Sequence, residues 1–595
     1  MPRFTRSMRE PPIIFAIPNA KKNSSLILGD MFTATSWRLL LGPPLFRRNF
    51  LMAKTVHASP DHPQLKSDRA GRDKTKAYLV GGGIASLASA AYLIRDGGVP
   101  GESICIYEET GVLGGSLDGE GSAERSYVIR GGRMFTEEAY TCMFDLLSFI
   151  PSLTSPGKSV KDELYEFNAR VKSHSHSRLI RNGQKIDPSA MGFSNKDRLD
   201  LVAIMATSEE SLGAKRIEDI FEPSFFKTNF WYMWCTTFAF QPWHSAVELK
   251  RYLLRFIQEF PRIHTLAGVR RTPYNQYDSI VLPVTTWLKN RGVQFVMGAK
   301  VTGLDFKYGA DGKGVERIHY LSEGARYEVA VGSDDLVFVT NGSMTAASSL
   351  GTMSSPPTLG TKAEGGSWAL WEALVHDHTD FGRPSAFNGN VAESKWLSFT
   401  ATLRDPTFLR LMEEFTSNKA GTGGLVTLTD SNWLMSMVVP YQPHFINQPD
   451  DTHVFWSYGL FPDQEGNFVK KKMSDCTGEE LLVELWRHLR FDDHIPMMLK
   501  TASCIPCMMP FITSQFMPRV KGDRPLVRPV GTTNIAFIGQ YCEIPDDVVF
   551  TVEYSVRSAQ TAVYSLLKID KEVSPLYKAQ HDVGVLFSSL MAMFH

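Results

Sequence analysis

Residues 76–119 constrain this chain more than any other stretch. Ala77-Tyr78-Leu79-Val80 is a short continuous apolar run. Gly81-Gly82-Gly83-Ile84-Ala85-Ser86 follows, and Leu87, Ala91 and Ile94 then recur at helical spacing. A buried strand is therefore expected to deliver a glycine turn into a helix. Gly81 permits the tight turn, and Gly83 lets the backbone approach a pyrophosphate held by the partial positive charge at the helix N-terminus. Ser86 stands where a third glycine is usual, a small-for-small change. Such a pattern alone also serves as a structural turn. A second strand over 103–107 strengthens the nucleotide reading because it ends in Glu108, in place to accept hydrogen bonds from a ribose 2′-hydroxyl. The interval from Gly81 is longer than usual because 96–102 forms a Gly- and Pro-rich connection.

Gly114-Gly115-Ser116 comes shortly after that acid. Paired glycines there resemble FAD-binding flavoproteins and are not expected in NAD enzymes. One nucleotide-binding unit accounts for only part of the chain. Its 595 residues, 43% of them hydrophobic, suggest about three or four domains, counted loosely because flavin folds interleave theirs. The formal net charge is zero, so nothing points to nucleic acid. Seven cysteines make no disulfide framework in so long a chain, and a reducing, intracellular compartment is expected. No run approaches the length of a membrane-crossing helix. Up to Lys54 the chain carries nine Lys or Arg against two acids, Glu10 and Asp30. That bias fits a mitochondrial transit peptide and equally an unstructured extension of a cytoplasmic protein, with Met52 as an alternative start.

After 119 come Tyr127-Val128-Ile129 and then Arg130-Gly131-Gly132-Arg133-Met134-Phe135-Thr136-Glu137-Glu138. The segments GGGIASLASAAYLIRDG, LGGSLDG, YVIRGGR, FIPSL, NFWYMWCTTFAFQPWHSAVELKRY, KWL, DSNWLMS, ITSQFMPR and IGQYCEIPDDVVFTVEYSVRSAQTAVY resemble, in order and spacing, the oleate hydratase family, also called the myosin-cross-reactive antigen family. The resemblance runs from about Lys76 to the C-terminus. It implies an α/β, Rossmann-like flavoprotein fold with two interleaved dinucleotide-binding parts, a substrate domain and a helical cap. The expected division is an N-terminal extension over 1–72 and an FAD-binding domain from 73–150, 290–345 and 525–572. Substrate and cap parts then fall over 151–289 and 346–524, and a helical segment over 573–595.

Strand-like stretches at 293–297, 301–306, 336–339 and 534–538 fit that division. The segment Thr340-Asn341-Gly342-Ser343 resembles the turn with which such flavoproteins return to the cofactor. Gly539 follows another such strand, and Pro545-Asp546-Asp547 is expected to open a helix towards Leu567, with Pro at its start and acids in its first turn. By resemblance that helix start faces the flavin. Cofactor contacts are accordingly expected from Gly81, Gly83, Ser86, Glu108, Gly114, Gly115, Ser116, Arg130, Gly131, Gly132, Arg133, Val301, Asn341, Gly342, Ser343, Gly539, Pro545 and Asp547.

The resemblance implies addition of water across a cis double bond of a free unsaturated fatty acid of the oleate or linoleate type. FAD is required, most effectively when reduced, without net redox. An isolated alkene is a poor base, so a proton must be supplied to one carbon while water is deprotonated at the other. The family's acid, a tyrosine, maps to Tyr252. The family's glutamate after Arg-Gly-Gly-Arg maps to Met134, whose thioether cannot take a proton from water. Glu137 and Glu138 lie three and four residues on. If a helix begins here they share a face with Met134 and offer a substitute base, or they are first-turn acids at a helix N-terminus. Gln276 and His444 match substrate contacts, while the intervening Thr and Asn contacts fall on Val438 and Pro440. Two other functions stay open: an FAD-dependent lipid oxidoreductase of the desaturase or amine-oxidase kind, and a non-catalytic FAD and fatty acid binder.

No metal site is expected. His174-Ser175-His176 and His376-Asp377-His378 lack a third positioned ligand. Cys504-Ile505-Pro506-Cys507 lacks the context of a redox or zinc pair and reads as two buried thiols. The aromatic cluster between Phe225 and Trp243 reads as core, although an apolar channel would use the same residues. Val583, Phe587, Leu590, Met591 and Phe594 recur at helical spacing. This face is expected to pack on the protein rather than on a bilayer, because no Lys or Arg follows Lys578. Peripheral membrane contact and a homodimer are the alternatives left open.

Overall fold

The computed structural model describes residues 72–132, 134–362 and 365–593. The readings of residues 1–71, of Arg133 and of Phe594 lie outside the described residues. All described residues belong to one unit, an α/β fold organised on two large sheets.

The first sheet has five parallel strands in the order Ile535–Ile538, Leu336–Thr340, Ala77–Val80, Ile104–Glu108 and Gln294–Met297. Strands Ala77–Val80 and Ile535–Ile538 are buried along their whole length, and Leu336–Thr340 in all but its last residue, which is why they read as unbroken apolar runs rather than alternating ones. Four chain segments far apart in sequence thus meet side by side, in a Rossmann-like arrangement. Helix Ile84–Arg95 leaves the glycine turn and packs against helix Val552–Leu566. An antiparallel meander, Lys300–Gly309, Gly312–Ser322 and Ala325–Ala330, packs beside this sheet, with Tyr107 and Tyr320 in ring contact at 5.1 Å.

The second sheet has eight mixed strands and spans Leu179–Ile186 and Ser349–Met509 in sequence. Strand Trp396–Leu403 lies near its middle, paired with His453–Gly459 and Ala502–Met509. A separate core of Phe399, Phe408, Trp433, Phe455 and Trp486 backs it. A hairpin of Gly119–Ser122 and Ser126–Ile129 ties the two sheets together. The Tyr127 and Ile129 N–H groups donate to the buried hydroxyls of Thr402 and Thr400, at 3.0 and 3.1 Å. These bonds place the stretch that begins at Arg130 between the sheets.

Helix Ala246–Arg255 carries Tyr252 and is held by a buried ion cluster. Glu248 accepts from Arg519 at 2.7 Å and from Arg524 at 2.9 Å. Burial alone would raise its carboxyl, but the guanidiniums of Arg524, Arg519 and Arg251 hold it down at about 2.

Three local expectations are corrected. The helix after Gly539 does not open at Pro545: it spans Val552–Leu566 and is capped by the Thr551 hydroxyl. Asp546 and Phe550 take φ values of 63° and 68°, which interrupt any right-handed helical run before Thr551. No helix begins at Met134 either. Phe135 exchanges both backbone hydrogen bonds with Arg270, at 3.0 and 2.7 Å, so the chain is pinned in extended form there, turns over 137–139 and enters helix Thr141–Phe149. Glu137 and Glu138 therefore share no helix face with Met134.

The third correction concerns the C-terminal helix Val583–Met593, which does pack on the protein but by another face. Ser589 donates to the Ile257 carbonyl at 2.8 Å and Met593 is buried. Val583, Phe587, Leu590 and Met591 are exposed, Phe587 by 64%.

Candidate active site

A cleft of about 550 Å³ opens at the C-terminal ends of the parallel strands. Its floor is the glycine turn. Gly81 donates to the Tyr107 carbonyl at 2.8 Å and Gly114 to that of Gly82 at 2.9 Å, so the turn and the paired glycines form one surface. The Gly82 N–H donates to Glu108 at 2.6 Å, and Thr110 donates to the other carboxylate oxygen through its N–H and hydroxyl, each at 2.7 Å. The first oxygen accepts only from Gly82 and keeps one further acceptor site, whereas the second is filled by Thr110. Helix Ile84–Arg95 has no side-chain cap and no acid in its first turn, leaving its N-terminal N–H groups for an anion.

Gly83 shows most directly what the cleft is shaped for. Its φ of −74° and ψ of 173° suit any residue, and a Cβ built there meets nothing within 4 Å. The protein itself does not require glycine at this position. By contrast, a Cβ at Gly82 would meet the Leu113 side chain at 2.6 Å, and one at Gly114 would meet Val281 at 2.9 Å with a φ of +110°. Those two glycines serve the fold, and Gly83 clears a path to the backbone. The residues present thus fit a dinucleotide.

The expected cofactor contacts divide. Gly81, Gly83, Glu108, Gly115, Arg130, Val301 and Ser343 line the cleft. Ser86 is buried with its hydroxyl 3.4 Å from that of Thr340. Asn341 donates to the Tyr541 carbonyl, Gly342 packs under Trp368, and Gly539 donates to the Ser558 hydroxyl. Neither Gly114, Ser116 nor Gly131 lines the cleft, and Pro545 lines a separate, charge-rich groove. Asp547 is wholly buried between Arg557 at 3.2 Å and Arg255 at 3.5 Å, an ion cluster of the interior.

Two narrow, mainly apolar cavities of about 30 and 50 Å³ lie against the second sheet and share Gly132, Arg271, Val438 and Trp456 in their walls. The first also has Gln276, Pro440 and His444, and the second Met134, Thr236, Tyr458 and Phe550. One short stretch therefore serves both places: Arg130 lines the cleft, Gly132 lines both cavities and Met134 the second. Arg130 is fixed there by Asp118 at 2.6 Å and contacts the Cys507 sulfur at 3.6 Å. Burial pushes the Cys507 thiol up to about 11, and Cys504 is likewise raised by burial, so neither is an activated thiol.

Tyr252 is buried among Phe238, Phe240, Phe256 and Phe516 and donates to the Val549 carbonyl at 2.6 Å. It stands one residue behind the wall formed by Phe550. Tyr458, which no sequence motif singled out, reaches the second cavity directly and donates to the Thr236 carbonyl; burial raises its phenol. His444 is pushed down to about 3 by burial and by the nearby Arg271 charge, and is neutral. Glu137 pairs with Arg270 at 2.9 Å and accepts from the Tyr165 hydroxyl. Neither Glu137 nor Glu138 lines a cavity. Among the described residues no cluster could hold a metal ion.

The chain is 41% identical to a protein named oleate hydratase from Streptococcus pyogenes serotype M49 (strain NZ131), over 89% of this chain and 91% of that one. It is 35% identical to a protein named linoleate hydratase from Lactiplantibacillus plantarum, over 82% and 93%. Cyclohexylamine oxidase from Brevibacterium oxydans IH-35A shares the fold alone, with a TM-score of 0.51 at 13% identity over 83% of this chain and 99% of that one. The model of the MCRA family matches residues 74–564. With those residues spanning the cleft, both cavities and the stretch that joins them, the chain belongs to the MCRA family.

Proposed function

We propose that this protein is a fatty acid hydratase. It adds water across a cis double bond of a free unsaturated fatty acid of the oleate or linoleate type, requires FAD, preferably reduced, and produces no net redox change. The observation that carries this reading is the Arg130–Met134 stretch, which separates a dinucleotide cleft from apolar cavities by only a few residues. Bound flavin would complete the wall beside this stretch, resting on the uncapped helix N-terminus, Glu108 and Gly83. The cavities are narrow, so an acyl chain enters as their aromatic lining shifts. Tyr252 supplies the proton to the alkene, and Gln276 and His444 contact the polar end of the substrate. Met134 leaves the attacking water without a basic side chain at that position, so its proton passes to a second water molecule and on to solvent.

Mass spectrometry of oleate and linoleate incubated with the protein and reduced FAD tests the reading. A gain of one water is expected. Loss of two hydrogens would instead support an oxidoreductase, and an unchanged lipid a binding protein.

Among the described residues no helix is long and apolar enough to cross a membrane. The outward-turned Val583, Phe587, Leu590 and Met591 of helix Val583–Met593 support lipid contact by apolar burial alone, without the basic residues that would add attraction to anionic lipid. Phe587→Ser with Leu590→Ser is expected to abolish flotation on vesicles while changing the melting temperature by no more than about 1 °C, because exposed side chains contribute little to stability. Unchanged flotation would assign the face to a second copy of the chain instead, read from a concentration-dependent mass. The seven cysteines, all free, support a reducing intracellular compartment.

A further inference from the structure

The two cavities meet at a cation whose Nε and Nη2 have no hydrogen-bond partner among the described residues. Arg271 lines both. Its main chain is clamped by one side chain: Asn168 accepts from the Arg271 N–H at 2.9 Å and donates to its carbonyl at 2.7 Å. The neighbouring Arg270 is locked to Phe135 through the backbone. The Arg271 side chain is therefore aimed into the cavities by a rigid support. There its Nε and Nη2 are buried and make no hydrogen bond. Nη2 lies over Gly424, where a Cβ would approach it to 3.4 Å.

The surroundings supply no negative charge. Among the described residues no carboxylate pairs with Arg271, His444 beside it is neutral, and Val438 and Pro440 carry no side-chain donor or acceptor. Arg178, a second buried guanidinium nearby, provides the contrast. It spends its donors on neutral groups, Nη1 on the Leu425 carbonyl at 2.6 Å and Nη2 on the Thr237 hydroxyl at 3.0 Å. Arg271 is half-buried as a residue, but buried guanidinium nitrogens without partners are costly, and folds seldom leave them facing a cavity without a ligand to meet them. Nε and Nη2 are moreover the two nitrogens whose N–H bonds run parallel, the fork that takes a carboxylate side-on.

We propose that Arg271 is the anchor for the carboxylate of the fatty acid, gripping both oxygens through Nε and Nη2 while Gln276 reaches the same group from the first cavity. This rests on the hydratase reading for the identity of the ligand and adds the residue that sets its register. Fixing the carboxylate at the junction fixes how far along the chain the double bond lies when it reaches the second cavity. Arg271 is a binding and specificity-determining residue and takes no part in proton transfer.

The test uses ligands that cannot react. Binding of tetradecanoic acid and of tetradecan-1-ol to the FAD-loaded full chain is measured by calorimetry at neutral pH. The wild type is expected to prefer the acid by roughly 10- to 100-fold, the scale of a charged hydrogen-bonded pair. Arg271→Gln is expected to abolish the preference by weakening the acid alone, and Arg271→Lys, which keeps the charge but not the parallel donors, to restore part of it. Without ligand, Arg271→Met is expected to raise the melting temperature, because it removes an uncompensated buried charge; a lowered melting temperature would mean that the arginine is structural. If Arg271→Gln retains the wild-type preference for the acid, the anchor lies elsewhere although the hydratase reading stands. If the wild type binds neither ligand, both fall together.

Discussion

Gly83→Val is expected to yield a folded protein that purifies without flavin. The substitution is unusually clean because the backbone at Gly83 has dihedrals that valine adopts readily, and the space around the missing Cβ is empty of protein atoms. A branched side chain there fills only the path by which a pyrophosphate would approach the turn. Melting temperature of the flavin-free protein should stay within about 2 °C of that of wild-type apoprotein, as for other substitutions that meet no neighbours. The absorbance of bound flavin should vanish, and hydration with it. Retained stoichiometric FAD would move the pyrophosphate away from Gly83. Gly82→Val is the useful contrast: a Cβ there collides with Leu113 and Glu108, so that variant should lose stability and flavin together.

Tyr252→Phe is expected to lower turnover by on the order of 100-fold or more, the scale for loss of a general acid, with KM little changed. Its hydroxyl donates to the Val549 carbonyl, so a merely structural role would appear as a stability loss of about 1 kcal/mol from one unsatisfied acceptor, with activity nearly intact. Tyr458→Phe gives the comparison, since that phenol borders the second cavity directly. A collapse of turnover in Tyr458→Phe, with near wild-type turnover in Tyr252→Phe, would transfer the proton donor to Tyr458. Measuring kcat and KM separately for both variants decides between them.

How much of this could be read beforehand depended on how local each feature is. Strand Ala77–Val80, the glycine turn and helix Ile84–Arg95 rest on residues adjacent in the chain, and all form where the apolar run and helical spacing put them. The strands Leu336–Thr340 and Ile535–Ile538 were legible for the same reason. Helix Val552–Leu566 was legible in kind but not in its start, because Pro545 and the acids after it imitate a helix opening while Asp546 and Phe550 leave the right-handed region. At the C-terminus, helix Val583–Met593 is apolar almost all round, so periodicity could not choose its inward face. Its inward face carries Ser589, which donates to the Ile257 carbonyl, and the buried Met593.

The sequence by itself determined that a strand, a glycine turn at Gly81 and a helix follow one another, and the family resemblance marked Met134 as standing where a glutamate is expected. The first follows from residue type and short spacing, which survive whatever the rest of the chain does; the second rests on the resemblance alone. Only the tertiary structure decided which expected contacts face the cleft, why Gly83 and Gly82 are glycines for different reasons, and that no carboxylate among the described residues pairs with Arg271. Such properties belong to the space between segments: Ile129, Gly132 and Met134 meet residues from 236–239, 271–276 and 421–458 around the cavities, and burial without a partner exists only once they have met.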